Sequence, residues 1–204
     1  MKIVQTATLA GMTASITWAI CSLLDIIASK SSNAFYVQKP MGSAYLSHIF
    51  SAISIIQLVA FTVVMISMAI ILRSYKAYFT IYFFIYLYIC WQFFMSVIYV
   101  QHNNIVFLGT VAAIGGGLMC CLVILLFFVK DKRIGVYFKW YSVSLIVTFL
   151  LRISLPWLYD HIGLRWALVQ PQLIGIIPYI VVFILFLRVY TANKQAMRLQ
   201  SSML

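Results

Sequence analysis

The chain carries few groups able to do acid–base or nucleophilic chemistry. It has no glutamate, and its three carboxylates are Asp25, Asp131 and Asp160. The histidines are His48, His102 and His161. Without glutamate there is no H-E-x-x-H zinc helix, and no G-x-S-x-G nucleophile elbow occurs. Cys21, Cys90, Cys120 and Cys121 all lie inside apolar runs, and none has the C-x-x-C spacing of a redox or zinc site. They read as small packing residues in helices. Tyr159-Asp160-His161, with Arg165 following, is suggestive, but after Pro156-Trp157 it falls at the outer surface. A metal there would need a second histidine or carboxylate, with His48 or His102 folded toward it. The expectation is a protein that is not an enzyme and holds no metal or cofactor.

A different chemistry is carried by polar side chains embedded in apolar runs. These are Asp25, His48, Gln57, Gln92, Arg152, Gln170 and Gln172. A charge at the centre of a membrane helix costs about 2.5–3.5 kcal/mol on insertion scales, so it usually faces protein or water. Asp25 lies on a stripe with Gly11, Ser15, Trp18, Ser22 and Ser29, a set that steps by 4, 3, 4, 3 and 4 residues along one helix face. Ser144, Thr148 and Tyr159 share the side of Arg152, and Ser51, Ser54 and Gln57 follow His48. Asp25 and Arg152 allow three readings: a structural ion pair, a polar pocket or lipid-headgroup site, and a short proton relay.

The elements that must position these residues follow from composition. Of 204 residues, 65% are hydrophobic and 8% charged, and mean hydropathy is +1.06. Soluble domains carry roughly 45–50% apolar and about 25% charged residues. A soluble globular protein, a disordered chain and a coiled coil are therefore excluded, leaving one integral membrane unit. The net charge of +11 does not imply nucleic acid, because the basic residues flank apolar runs rather than forming a stripe interleaved with aromatics. They suit anionic lipid headgroups at the cytoplasmic face.

A spanning helix needs about 20 mostly apolar residues. Six runs qualify: about Leu9 to Ala28, Tyr45 to Leu72, Ala77 to Val100, Val106 to Val129, Val136 to Leu158 and Ala167 to Tyr190. The expected fold is an all-α transmembrane bundle of six spans, with a polar, basic and frayed tail over 191–204. With the N-terminus inside, Lys2, Arg73, Lys76, Lys130, Lys132, Arg133, Lys139, Arg188, Lys194 and Arg198 fall on the inner side. Lys30, Lys39 and Arg165 fall on the outer side, so ten cations oppose three and both termini are expected in the cytoplasm. The alternative makes the first run a cleaved signal peptide. Under the favoured orientation every embedded polar residue lies in the outer half. The longest loop is outer, from Ser29 to about Ala44, and Lys130-Asp131-Lys132-Arg133 forms a charged inner hairpin.

Small residues are expected to carry helix packing, since lipid provides no hydrophobic drive for association. On the fourth run Gly109, Ala113, Gly117 and Cys121 form one ridge, and Ala112, Gly116 and Cys120 the next. Gly115-Gly116-Gly117 would allow close approach or act as a hinge. On the first run Ala7, Gly11, Ser15 and Ala19 form a face that could dock a membrane protein partner. Tyr82 and Tyr86 lie deep in the third run and should find hydroxyl partners on other helices. Pro178 should kink the sixth run beside Gln170, Gln172, Gly175 and Tyr179.

The layout resembles the DRAM autophagy-modulator family, six-span membrane proteins whose relatives act on GPI-anchor lipids and plasma-membrane lipid organisation. The echoes are Ile49-Phe50 entering the second run after a Pro- and Ser-containing loop, Lys139 opening the fifth, and the stretch from Gln172 to Tyr190. The family's outer-loop Pro-Tyr-Ile-Ser is not present, and Gln172 stands where an acidic residue often enters its last span. The resemblance implies a non-enzymatic protein that organises or regulates membrane lipid or a partner complex. The embedded polar residues support an alternative, a six-span subunit that binds or transports a small solute in its outer half.

The roles of Arg152 separate by double-mutant comparison. A structural pair predicts that Arg152→Ala lowers membrane abundance and that adding Asp25→Ala partly restores it, read by immunoblot of membranes. A binding role predicts normal abundance with ligand lost.

Overall fold

In hydrocarbon, backbone N–H and C=O groups must bond within their own segment. The computed structural model meets this with helices throughout the residues it describes, which are 2–36, 43–75, 79–101, 105–129, 131, 134–162 and 170–201. The six helices are α1 (Lys2–Tyr36), α2 (Ser43–Ser74), α3 (Phe79–Gln101), α4 (Ile105–Phe127), α5 (Gly135–Ile162) and α6 (Gln170–Ser201). Three have apolar stretches long enough to cross a membrane: Ile3–Ile26, Ala52–Ser74 and Leu173–Gln195. Phe79–Met95, Ala113–Phe127 and Gly135–Leu151 are shorter apolar stretches of α3, α4 and α5.

Three helices run well past the expected ends of their runs. α1 continues through Ser31-Ser32-Asn33, which the sequence reading places in the outer loop. Nothing between Ala28 and Pro40 forbids helix, since neither proline nor glycine occurs there. α5 runs past Leu158 to Ile162, so the backbone of Tyr159-Asp160-His161 is helical. α6 runs to Ser201, and the tail expected to fray is helical. Its Ala192, Lys194, Gln195, Ala196, Met197, Arg198 and Leu199 are nearly all strong helix formers.

Each helix packs on its neighbours in sequence, and α6 returns to pack on α1, so the six close into a ring. Short connections make neighbours antiparallel. The register shows it directly. The ring of Phe186 lies on Gly11, and seven residues further along α1 Trp18 stacks on Tyr179, seven residues earlier in α6. On the other side of the ring, Trp91 of α3 meets Gly115 of α4, and Tyr88 meets Met119. Both described ends of the chain therefore lie at one end of the ring, here the terminal end; the other is the far end.

The terminal half is filled. Met68, Ile71, Leu72, Ile81, Ile85, Leu126, Phe138, Val182, Leu185 and Phe186 are buried, drawn from five of the helices. α1 adds small residues instead, with Ala7, Thr8, Ala14, Ser15 and Ser22 also buried. Two of the buried hydroxyls on α1 bond their own helix: Ser15 Oγ donates to the Gly11 carbonyl at 2.8 Å and Thr8 Oγ1 to the Gln5 carbonyl at 2.8 Å. Such back-bonding lets a hydroxyl sit among apolar atoms without a partner on another helix. Outward, the ring exposes Ile16, Ile20, Ile56, Val59, Phe83, Phe94, Ile124, Ile146, Leu150, Ile180 and Ile184. In water that surface would cost roughly 25 cal/mol for each Å² of apolar area.

On the small-residue face of α1, Ala7, Gly11 and Ser15 are buried within the chain and Ala19 is half-buried. The α4 ridges behave in the opposite way. Ala113, Gly117, Cys120 and Cys121 are exposed, and a Cβ on Gly116 or Gly117 would meet nothing within 4 Å. Of the three consecutive glycines only Gly115 takes a close approach, from the Trp91 indole. Gly109 and Ala112 have side-chain positions outside the described residues. Cys21 is buried as expected of a packing residue, but Cys90, Cys120 and Cys121 face outward. Among the carboxylates, Asp131 has a structural duty: its Oδ1 accepts from the Ile134 backbone N–H at 3.1 Å at the entry to α5. That bond satisfies one of the orphan donors of a helix start.

Gly11 is the tightest point of the α1–α6 seam. A Cβ there would meet the Phe186 ring, with Cζ at 2.6 Å, and Phe186 has no accessible surface to retreat into. Gly11→Ala should lower stability by about 1–3 kcal/mol, the usual cost of overpacking. Phe186→Leu in the same chain should return part of the loss, measured by thermal denaturation of the detergent-solubilised protein.

Candidate functional site: a cavity in the far half

Beyond the filled terminal half the ring has an open-sided cavity of about 470 Å³. All six helices line it: Trp18 from α1, Gln57 and Phe61 from α2, Tyr88 and Gln92 from α3, Met119 and Leu122 from α4, Tyr141 and Thr148 from α5, and Pro178 and Tyr179 from α6. Volumes of roughly 300–1,000 Å³ hold small-molecule ligands. The described lining residues offer amides, hydroxyls, an indole and thioethers, and none bears a formal charge.

Its walls are held by specific contacts. Trp18 and Tyr179 stack with ring centroids 3.7 Å apart and planes 10° from parallel, closing the α1–α6 side. Phe61 and Tyr88 meet edge to face at 5.7 Å, joining α2 to α3. Tyr88 Oη donates to Met119 Sδ at 3.4 Å, joining α3 to α4. Gln57 Nε2 donates to Ser22 Oγ at 3.2 Å, an inter-helix bond between α2 and α1. Pro178 lies within α6, and having no N–H it leaves the Ile174 carbonyl without its helical donor. Pro178 and Gly175 both line the cavity, so the irregular part of α6 faces it.

The sequence-derived polar residues divide into three groups. Gln57 and Gln92 converge on the cavity, and so does Ser54. Asp25 is half-buried and does not line it; it stands one turn beyond Ser22 on the same stripe. His48, Arg152, Gln170 and Gln172 belong to helices, but their side chains lie outside the described residues. Those of Tyr159, Asp160 and His161 do as well, and Arg165, His102, Lys39 and Lys132 lie wholly outside.

Tyr86 is exposed, not the deep hydrogen-bonding residue expected, and Tyr82 is half-buried. The buried tyrosines of the site are Tyr88 and Tyr141. A simple extension of the sequence pattern reaches them. Tyr88 is one turn before Gln92, and Tyr141, Leu145 and Thr148 continue the face of Arg152 by steps of four, three and four. Comparison with protein-family models, curated proteins and solved structures finds no match.

The Gln57–Ser22 bond is an α1–α2 tie at the cavity. In a double-mutant cycle of Gln57→Leu and Ser22→Ala, the coupling should be about 0.5–1.5 kcal/mol, the net worth of a typical hydrogen bond. Thermal denaturation of the two single variants and the double variant measures it.

Proposed function

We propose that the chain is a six-span membrane protein, both ends cytoplasmic, whose ring of helices holds a small uncharged molecule in its outer half. The observation that carries this reading is the cavity itself, a void among apolar helices with hydrogen-bonding groups and no described charge. The amides and hydroxyls of the lining supply hydrogen bonds to a bound molecule. The six-span reading is supported by helix length. Even α3 and α4, of 23 residues each, extend about 34 Å at 1.5 Å per residue, against a hydrocarbon core of about 30 Å. The excess of cations at the terminal end supports the orientation and suits anionic headgroups there. There the ammonium of Lys139 lies 5.6 Å from the Phe127 ring centroid, beside exposed Phe128 and Trp140.

The filled terminal half favours holding over passage. Residues from five helices are buried there, so a transport cycle would have to part packed side chains such as Phe186 against Gly11. A lipid-related role is also what the resemblance in layout to the DRAM family implies.

Two measurements test the reading. Single cysteines at Lys30→Cys and Lys132→Cys, in a chain freed of its native cysteines, should react with an impermeant thiol reagent from opposite sides of the membrane. Native mass spectrometry of the protein extracted from its membrane should show a retained neutral molecule, lost in Leu145→Trp, where an indole fills the cavity. Labelling of both cysteines from one side would overturn the topology, and an unchanged adduct in Leu145→Trp would overturn the site.

A further inference from the structure

We infer that the cavity takes a flat, uncharged ring compound bearing a carbonyl or hydroxyl, and that Thr148 hydrogen-bonds that group; this deepens the reading of the cavity as a binding site and rests on it. The decisive feature is a contrast among hydroxyls of the same kind. Thr13, Thr17 and Thr62 each donate to the carbonyl four residues earlier, at 3.2, 2.9 and 2.8 Å. Ser144, on the same face of α5 as Thr148, donates to the Tyr141 carbonyl at 2.7 Å. Thr148 does not. Its Oγ1 is buried and has no hydrogen-bond partner, on a residue only 7% exposed. Two other described side chains share that condition, at Ser142 Oγ and Asn193 Nδ2, and neither residue lines the cavity. A buried hydroxyl that forgoes the bond its neighbours make costs stability, and a ligand in the cavity restores the bond.

The rest of the lining narrows the ligand. A phospholipid headgroup, a carboxylate or an ammonium would enter without a described counter-charge, and an unpaired charge in low dielectric is strongly disfavoured. A bare hydrocarbon chain would leave the Thr148 hydroxyl unanswered. Aromatic rings favour other rings in stacked or edge geometries, and thioethers favour ring edges. Trp18, Tyr88, Tyr141 and Tyr179 provide the first, and Met65 and Met119 the second. A prenylated quinone and a sterol both present this chemistry, a flat apolar body with one hydrogen-bonding edge.

The test uses the purified full chain in phosphatidylcholine nanodiscs, titrated separately with decylubiquinone and with cholesterol. Binding is read as quenching or shift of the Trp18 emission, isolated as the difference from Trp18→Phe, and as a rise in melting temperature. One of the two should bind saturably and identify which source the site uses. Thr148→Val should weaken that binding at least tenfold while melting at the same or a higher temperature without ligand, and Thr148→Ser should keep it. Should Thr148→Val fail to accumulate, Thr148→Ala carries the same expectation. Saturable binding that Thr148→Val and Thr148→Ala leave within twofold would overturn the role of Thr148. Absence of binding by both compounds would overturn the ring-compound inference. In either case a neutral adduct that Leu145→Trp removes would still uphold the cavity as a binding site, and its absence would remove both.

Discussion

A hydroxyl or amide surrounded by hydrocarbon must find a partner, because no water is present to take the bond. This constraint orders the whole molecule. Threonine and serine are plentiful in the helices, and most described ones meet the constraint locally by donating to the preceding turn of their own helix. A residue satisfied in that way can face any neighbour, so helices can pack by shape alone. Shape then decides the seams. α1 presents Gly11 to α6 and receives the Phe186 ring, while Gly115 receives the Trp91 indole between α4 and α3.

Closing six helices into a ring creates a second problem, the space at the centre. Near the chain ends the problem is met with bulk. Phe138, Phe186, Met68 and several leucines and isoleucines fill the middle with almost no accessible surface left. In the far half the same ring narrows its fill to side chains that stand at the wall. The α1–α6 seam shows the change over two turns. At Gly11 an aromatic ring lies against bare backbone; at Trp18 two aromatic rings stack and hold the helices' side chains apart from the centre. Filled and hollow halves are thus produced by the order of small and large residues along one pair of helices.

Much of this was legible in the sequence, and the parts that were not have physical causes. Six helices followed from run length and from the backbone constraint alone. Their ends did not, because hydropathy marks where lipid stops rather than where helix stops, and α1 and α6 continue through polar residues uninterrupted by proline or glycine. Glycine and cysteine ridges on α4 misled because a small residue is equally compatible with close packing and with lipid. Only the tertiary partner distinguishes Gly115, under Trp91, from Gly116 and Gly117, with nothing near. The amides Gln57 and Gln92 both line the cavity, and an amide in an apolar helix has few places to go. Tyr88, Tyr141 and Met119 were hidden by their commonness in apolar helices.

Local rules broken at one place are more informative than any one of them. Pro178 breaks the hydrogen-bond ladder of α6, Gln57 and Gln92 bring amides into apolar helices, and Thr148 declines the back-bond its neighbours make. These residues come from four different helices and are far apart in the sequence. Each alone has a plain structural explanation, as Ser142 shows, whose free hydroxyl lies away from the void. Their convergence on one space does not, because packing gives no reason for independent departures to share a cavity. Sequences that specify a fold are consistent across levels except where function sets a competing demand. A cavity that stayed empty would cost twice, in lost contacts and in the unanswered Thr148 hydroxyl. On the proposed reading a bound molecule removes both costs together, so that its affinity and the stability of the far half of the ring are linked.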